Sequence, residues 1–177
     1  MKPVALGIRM HSGWGILVAV ADPGLVVARR RIEVLPQGGV KQPYHHAAEM
    51  ELPDAERFLA ASFAACQTMA AAALSDVVSA LPYEIRGCAL LLSSARPLPP
   101  LARVLSSHPL IHTAEGEFYR DVIRRACADL NFPVHGFVEK QVTEVPGLAP
   151  MGPPWTADHK AAASAALQVL KRNSDGI

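Results

Sequence analysis

The 177-residue sequence predicts one α/β domain with the element order β-β-β-α-β-α-β-α. Three observations carry this reading. Half of the residues are hydrophobic and 19% are charged, the balance of a globular core. Two apolar runs flank Asp22-Pro23-Gly24, a strong turn signal because proline presets one backbone angle and glycine tolerates a positive one. Long helix-patterned segments then alternate with short runs such as Ala89-Leu90-Leu91-Leu92, the continuous apolar type expected of a strand covered on both faces.

Taken in order, Val4 to Ile8, Gly13 to Ala21 and Leu25 to Leu35 read as three strands, the second and third a hairpin. Pro36 to Pro53 lacks periodicity and reads as a long connection. Asp54 is a candidate N-cap for an alanine-rich helix reaching about Leu81, where Pro82 stops it. Ile85 to Leu92 is the fourth strand, and Leu101 to Leu105 one short helical turn. From Thr113 to about Leu130, Phe118, Val122, Ile123, Ala126 and Leu130 recur at helical spacing. That start would place Glu115 and Glu117 in the first turn, where carboxylates favour the helix dipole. Val134 to Val138 is the fifth strand, and a last helix runs from about Thr156 to Leu170. The domain is expected over 1–172, with 173–177 a polar tail.

A net charge of +1 provides no global field for nucleic acid or anionic lipid. Arg29-Arg30-Arg31 and Lys171-Arg172 are expected at solvated element ends. Three widely spaced cysteines, Cys66, Cys88 and Cys127, argue against a disulfide scaffold and fit a reducing cytoplasm. Met1 to Met10 has no long apolar region of a secretory signal, and Phe58 to Ala73 is expected to be too short or too interrupted to span a membrane. A second apolar side on that alanine-rich helix would serve a homodimer.

Leu6-Gly7-Ile8-Arg9 followed by Ser12-Gly13-Trp14-Gly15 resembles the first strand and turn of RuvC-type Holliday junction resolvases, Leu-Gly-Ile-Asp and then a Thr-Gly-Tyr-Gly type segment. Ala126 to Pro133, the strand after it and Gln141-Val142 are similar to that family's later elements, and Pro153 to Leu167 to its last catalytic helix. The resemblance implies a three-layer ribonuclease H-like fold, a mixed five-stranded sheet with helices on both faces. It also implies a nucleic acid partner and carboxylates holding two divalent ions that activate water. In this sequence Arg9 stands at the first-strand aspartate position, Leu91 to Arg96 offers no acidic residue, and Ala161 follows Asp158 where a second acid belongs. A guanidinium repels a cation, so the expected protein is a non-catalytic ligand-binding or interaction member with no cofactor.

Under the inferred topology Arg9, His11, Ser93, Ser94, Arg96 and the starts of the last two helices approach the carboxyl ends of strands, where open α/β sheets bind ligands. The expected ligand-binding set is Arg9, His11, His45, Arg96, Glu115, Glu117, Asp158 and His159. Arg9 and Arg96 could hold a phosphate or carboxylate; the favoured expectation is that Arg9 pairs with Asp158, Glu115 or Glu117. The alternative function is a divergent metal-dependent phosphodiesterase or nuclease, with Asp158, Glu117 and His11 as catalytic candidates beside Glu115. His108, His112 and Glu115 form H-x-x-x-H-x-x-E, a weak metal candidate, because a helix starting at Thr113 leaves both histidines in a loop. Adjacent His45 and His46 would point oppositely on an extended chain. The sequence lacks G-x-S-x-G and G-x-x-x-x-G-K-[ST], so neither a nucleophile elbow nor a phosphate-binding loop is expected. Trp14 and Trp155 are expected at the core margin or an interface.

Overall fold

The computed structural model describes residues 1–93, 96–148 and 151–174. β1 (Pro3–His11), β2 (Trp14–Ala21) and β3 (Leu25–Glu33) form an antiparallel meander. Gly13 (φ 86°) and Gly24 (φ 138°) supply the positive φ that its two turns require. β4 (Glu84–Leu92) runs parallel to β1, and β5 (Val134–Val138) parallel to β4, giving the order β3-β2-β1-β4-β5. The arrangement is the mixed five-stranded sheet expected.

Alternation along β1 sorts the layers. Leu6, Ile8 and Met10 face a core shared with α2 (Leu52–Ser79) and α4 (His108–Asp129). Ala5 and Gly7 face α5 (Ala157–Ser174), which covers the other side with buried Ala162, Ala163, Ala165 and Ala166. Both faces of β1, β2 and β4 are buried, which is why these strands read as unbroken apolar runs. The small residues let α5 approach closely: a Cβ on Gly7 would lie 1.9 Å from the Ala162 carbonyl oxygen.

Four expectations change. The connection after β3 contains a short helix, α1 (Pro43–Ala47), which with α2 encloses a small core of Ala47, Ala55 and Leu59. After α3 (Leu101–Leu105), α4 begins at His108 rather than Thr113. Pro109 sits in its first turn, where the missing N–H has no intrahelical acceptor to lose. Glu115 and Glu117 therefore lie well inside the helix, outside the first turn. α2 is long and apolar enough to cross a membrane by length and composition, contrary to the reading of Phe58 to Ala73. Here it buries Cys66, Ala70, Leu74 and Val77, spaced three or four residues apart, and packs on α4. The last helix extends to Ser174, two residues into the expected tail, and 175–177 lie outside the described residues.

Candidate functional site

The carboxyl end of β1 delivers Arg9 and His11 to the α5 side of the sheet. There they meet Asp158, in the first turn of α5, and Glu139, in the 3₁₀ turn Glu139–Gln141 that follows β5. Arg9 Nε donates to Glu139 Oε1 at 3.0 Å and lies 3.2 Å from Asp158 Oδ1. One guanidinium thus bridges two carboxylates. His11 Nε2 is 2.8 Å from Asp158 Oδ2 and 2.9 Å from Arg9 Nη1. A single ring nitrogen cannot donate to one and accept from the other. With Nε2 protonated the contact to Asp158 is a charge-assisted hydrogen bond; with Nε2 bare the ring accepts from Arg9 Nη1.

The surroundings hold these groups in place. The His11 ring stacks on Trp14 with centroids 4.1 Å apart and 12° between planes, and the Arg31 guanidinium lies 3.7 Å above the Trp14 ring. Arg29 donates to the carbonyls of Gly152 (2.7 Å), Pro153 (3.1 Å) and Pro154, fastening the segment that leads into α5. The three arginines lie within β3 and not at its end; Arg30 and Arg31 are exposed, as expected of solvated positions, while Arg29 is half-buried against the segment before α5. Trp155 lies over His159, and lines an open cavity of about 360 Å³ with Glu139, Val142, Glu144, Lys160 and Ala161. His159 Nδ1 accepts from the Thr156 backbone N–H at 3.2 Å, closing the first turn of α5 in the manner of a capping box. Burial lowers the pKa of His159 from its ordinary 6.5; Arg29 lowers it further and Asp158 opposes both.

The remaining expected site residues go elsewhere. Glu117 pairs with Arg120 at 2.8 Å and Arg124 at 3.6 Å, while Arg120 Nε donates to the Leu91 carbonyl. Glu115, nearly fully buried on α4, accepts from both the backbone N–H and Nδ1 of His45, each at 3.0 Å. These contacts lie on the α4 side of the sheet, opposite Asp158, so His11 and Asp158 come together while Glu115 and Glu117 lie apart from them. Arg9 finds Asp158 as expected, but its other partner is Glu139 instead of Glu115 or Glu117. Sequence reasoning passed over Glu139; its signal was an acidic residue immediately beyond the carboxyl end of a strand. Arg96 is exposed beyond β4, and Ser94 lies outside the described residues. Because α4 starts at His108, His108 and His112 do share a helical face: their Nε2 atoms are 3.0 Å apart, and His45 stands against both rings. The loop expected there is corrected by the same proline that starts the helix.

The described residues do not fit a divalent metal pair at the end of β1. Arg9 places positive charge where cations would sit, and both carboxylates are already engaged by it. Among the described residues, the histidines, cysteines and carboxylates that converge to within 4.8 Å in a group of three are His45, His108 and His112, on the other side.

A three-stranded meander continued by two parallel strands, with α2 and α4 on one face and α5 on the other, is a ribonuclease H-like fold of the RuvC kind. Thermus thermophilus RuvC in complex with a Holliday junction substrate superposes with a TM-score of 0.59, and a second T. thermophilus RuvC structure with 0.56. Each is 13% identical over 98% of this chain and 96% of that chain, so the likeness is one of fold. No protein-family model and no curated protein matches the sequence.

Proposed function

We propose that this chain is a non-catalytic, ligand-binding or interaction member of the ribonuclease H-like superfold. The observation that supports this best is the Arg9 guanidinium bridging Asp158 and Glu139. Two-metal hydrolysis needs carboxylate oxygens free to ligate cations. Here a fixed organic cation neutralises them and needs no exchangeable ion. One solved relative in fold is bound to a Holliday junction, and branched DNA is the interaction class this suggests for the present chain. The near-neutral net charge makes any such binding dependent on a local surface.

The test is a cleavage assay on four-way junction, duplex and single-stranded DNA with Mg²⁺ or Mn²⁺, paired with mobility shifts on the same substrates. The expected result is no metal-dependent cleavage by the native chain or by Asp158→Asn. Cleavage that requires the metal and disappears in Asp158→Asn would refute the reading.

A further inference from the structure

We propose that His45, His108 and His112 form a binding site for a divalent transition metal, zinc in the first instance. Glu115 orients His45, and a fourth coordination position stays open to solvent. This site lies on the α4 side of the sheet, away from the Arg9 cluster, and is independent of the reading above.

The sequence builds it from two elements. His108 and His112 are four residues apart on α4, the spacing that puts two imidazoles on one helical face. Their Nε2 atoms are 3.0 Å apart. Two nitrogens bound at about 2.0–2.1 Å to a tetrahedral zinc are separated by about 3.3 Å, so this pair is already close to ligating distance. The third ring comes from α1, with centroids 5.5 Å from His108 and 4.7 Å from His112. One ligand nitrogen from each ring lies within 4.8 Å of the other two, and a side-chain adjustment of about 1–1.5 Å closes the triad on an ion.

Glu115 provides the second, independent observation. Its side chain is 6% exposed; Oε1 accepts two hydrogen bonds from His45, and Oε2 is buried without a hydrogen-bond partner. A carboxylate receiving Nδ1–H leaves the lone pair of His45 on Nε2, free to ligate a metal. Such carboxylate–histidine–metal relays fix ring orientation and raise ligand basicity. The buried negative charge also needs a counter-charge. The competing account is a simple His108–His112 hydrogen bond with one shared proton. It explains the 3.0 Å contact but gives no reason for a third imidazole aligned by a buried carboxylate.

Three imidazoles suit Zn²⁺, Cu²⁺, Ni²⁺ or Co²⁺ rather than Mg²⁺ or Ca²⁺, which prefer oxygen ligands. His108 and His112 are exposed, so an external molecule can reach the fourth position.

The decisive measurement uses the full chain stripped with a chelator and then titrated with zinc chloride by calorimetry. A parallel titration with cobalt chloride reads the visible absorption of a four-coordinate ion. One equivalent of saturable binding is expected, with four-coordinate cobalt bands. His108→Ala and His112→Ala, at exposed positions, should abolish the bands, and Glu115→Gln should weaken zinc binding by roughly 10–100-fold. His46→Ala, whose ring packs on Phe58 and not on the triad, should bind as the native chain does. Absence of saturable binding, persistence of the bands in His108→Ala and His112→Ala, or equal loss in His46→Ala would overturn the proposal. Circular dichroism of each variant separates lost ligation from lost folding, and the two exposed-site variants test the site even if Glu115→Gln is unstable.

Discussion

Replacing Arg9 with methionine isolates the worth of the guanidinium at the end of β1. Methionine keeps an unbranched apolar side chain of similar reach but leaves Asp158 and Glu139 without the guanidinium they share. The Arg9 and Asp158 side chains are 25% and 26% exposed, and Glu139 39%. Exposed pairs contribute about 0–1 kcal/mol, and removing one partner of a fully buried pair costs about 3–5 kcal/mol. With three-quarters of the Arg9 and Asp158 side chains shielded, a loss of about 2 kcal/mol is expected, discounted from the buried limit because Glu139 can turn to water. For a chain of this length that lowers Tm by about 4–8 °C. Urea denaturation with a fixed m-value reads the free energy, and calorimetry the midpoint. Adding Asp158→Asn should recover part of the loss, giving a coupling of about 1–2 kcal/mol in the double-mutant cycle. A single variant within about 0.5 kcal/mol of the native chain, or a coupling near zero, would refute the idea that Arg9 holds this centre together.

Three other substitutions or conditions probe separate layers. Gly7→Ala places a methyl group 1.9 Å from the Ala162 carbonyl oxygen, so urea denaturation should show a loss of at least about 1–3 kcal/mol, unless α5 shifts off the sheet. Because burial favours neutral His159 in the fold, the unfolded chain binds its proton more readily; stability is complete above pH 6.5 and is lost as pH falls below it. Denaturation midpoints followed downward from pH 7 should therefore fall less steeply in His159→Gln than in the native chain. Burial raises the Cys66 thiol to about 11, and the hydrogen bond with Cys127 together with burial raises Cys88 well above its ordinary value, so native protein at pH 8 should react with a disulfide reagent only slowly and release all three thiols after denaturation.

What the sequence discloses and what it withholds divide along a physical line. Strand order, both faces of β1 and the alanine face of α5 follow from period, turn chemistry and side-chain size, all local properties. The expected start of α4 at Thr113 is in error because a proline in a first turn, here Pro109, opens a helix instead of breaking it. That one error moved Glu115 to the wrong environment and hid the face shared by His108 and His112. Asp158 beside Arg9 was legible through the resemblance, since both positions belong to its motif. Glu139 was not, because its role depends on β5 ending beside β1's neighbour β4, a pairing made across more than forty residues of sequence.

The contact between Gly7 and Ala162 also bears on how rigidly the centre at the end of β1 is mounted. With no side chain between strand and helix, the depth of α5 is set by backbone against backbone. Asp158 begins only one turn before that point, so it cannot retreat when the residue facing it changes. The frame therefore presents Asp158 at a fixed depth to whatever side chain stands at position 9. Charge type at that position is a replaceable fitting on a fixed mount, and a substitution there changes the electrostatics of the centre while leaving the architecture in place.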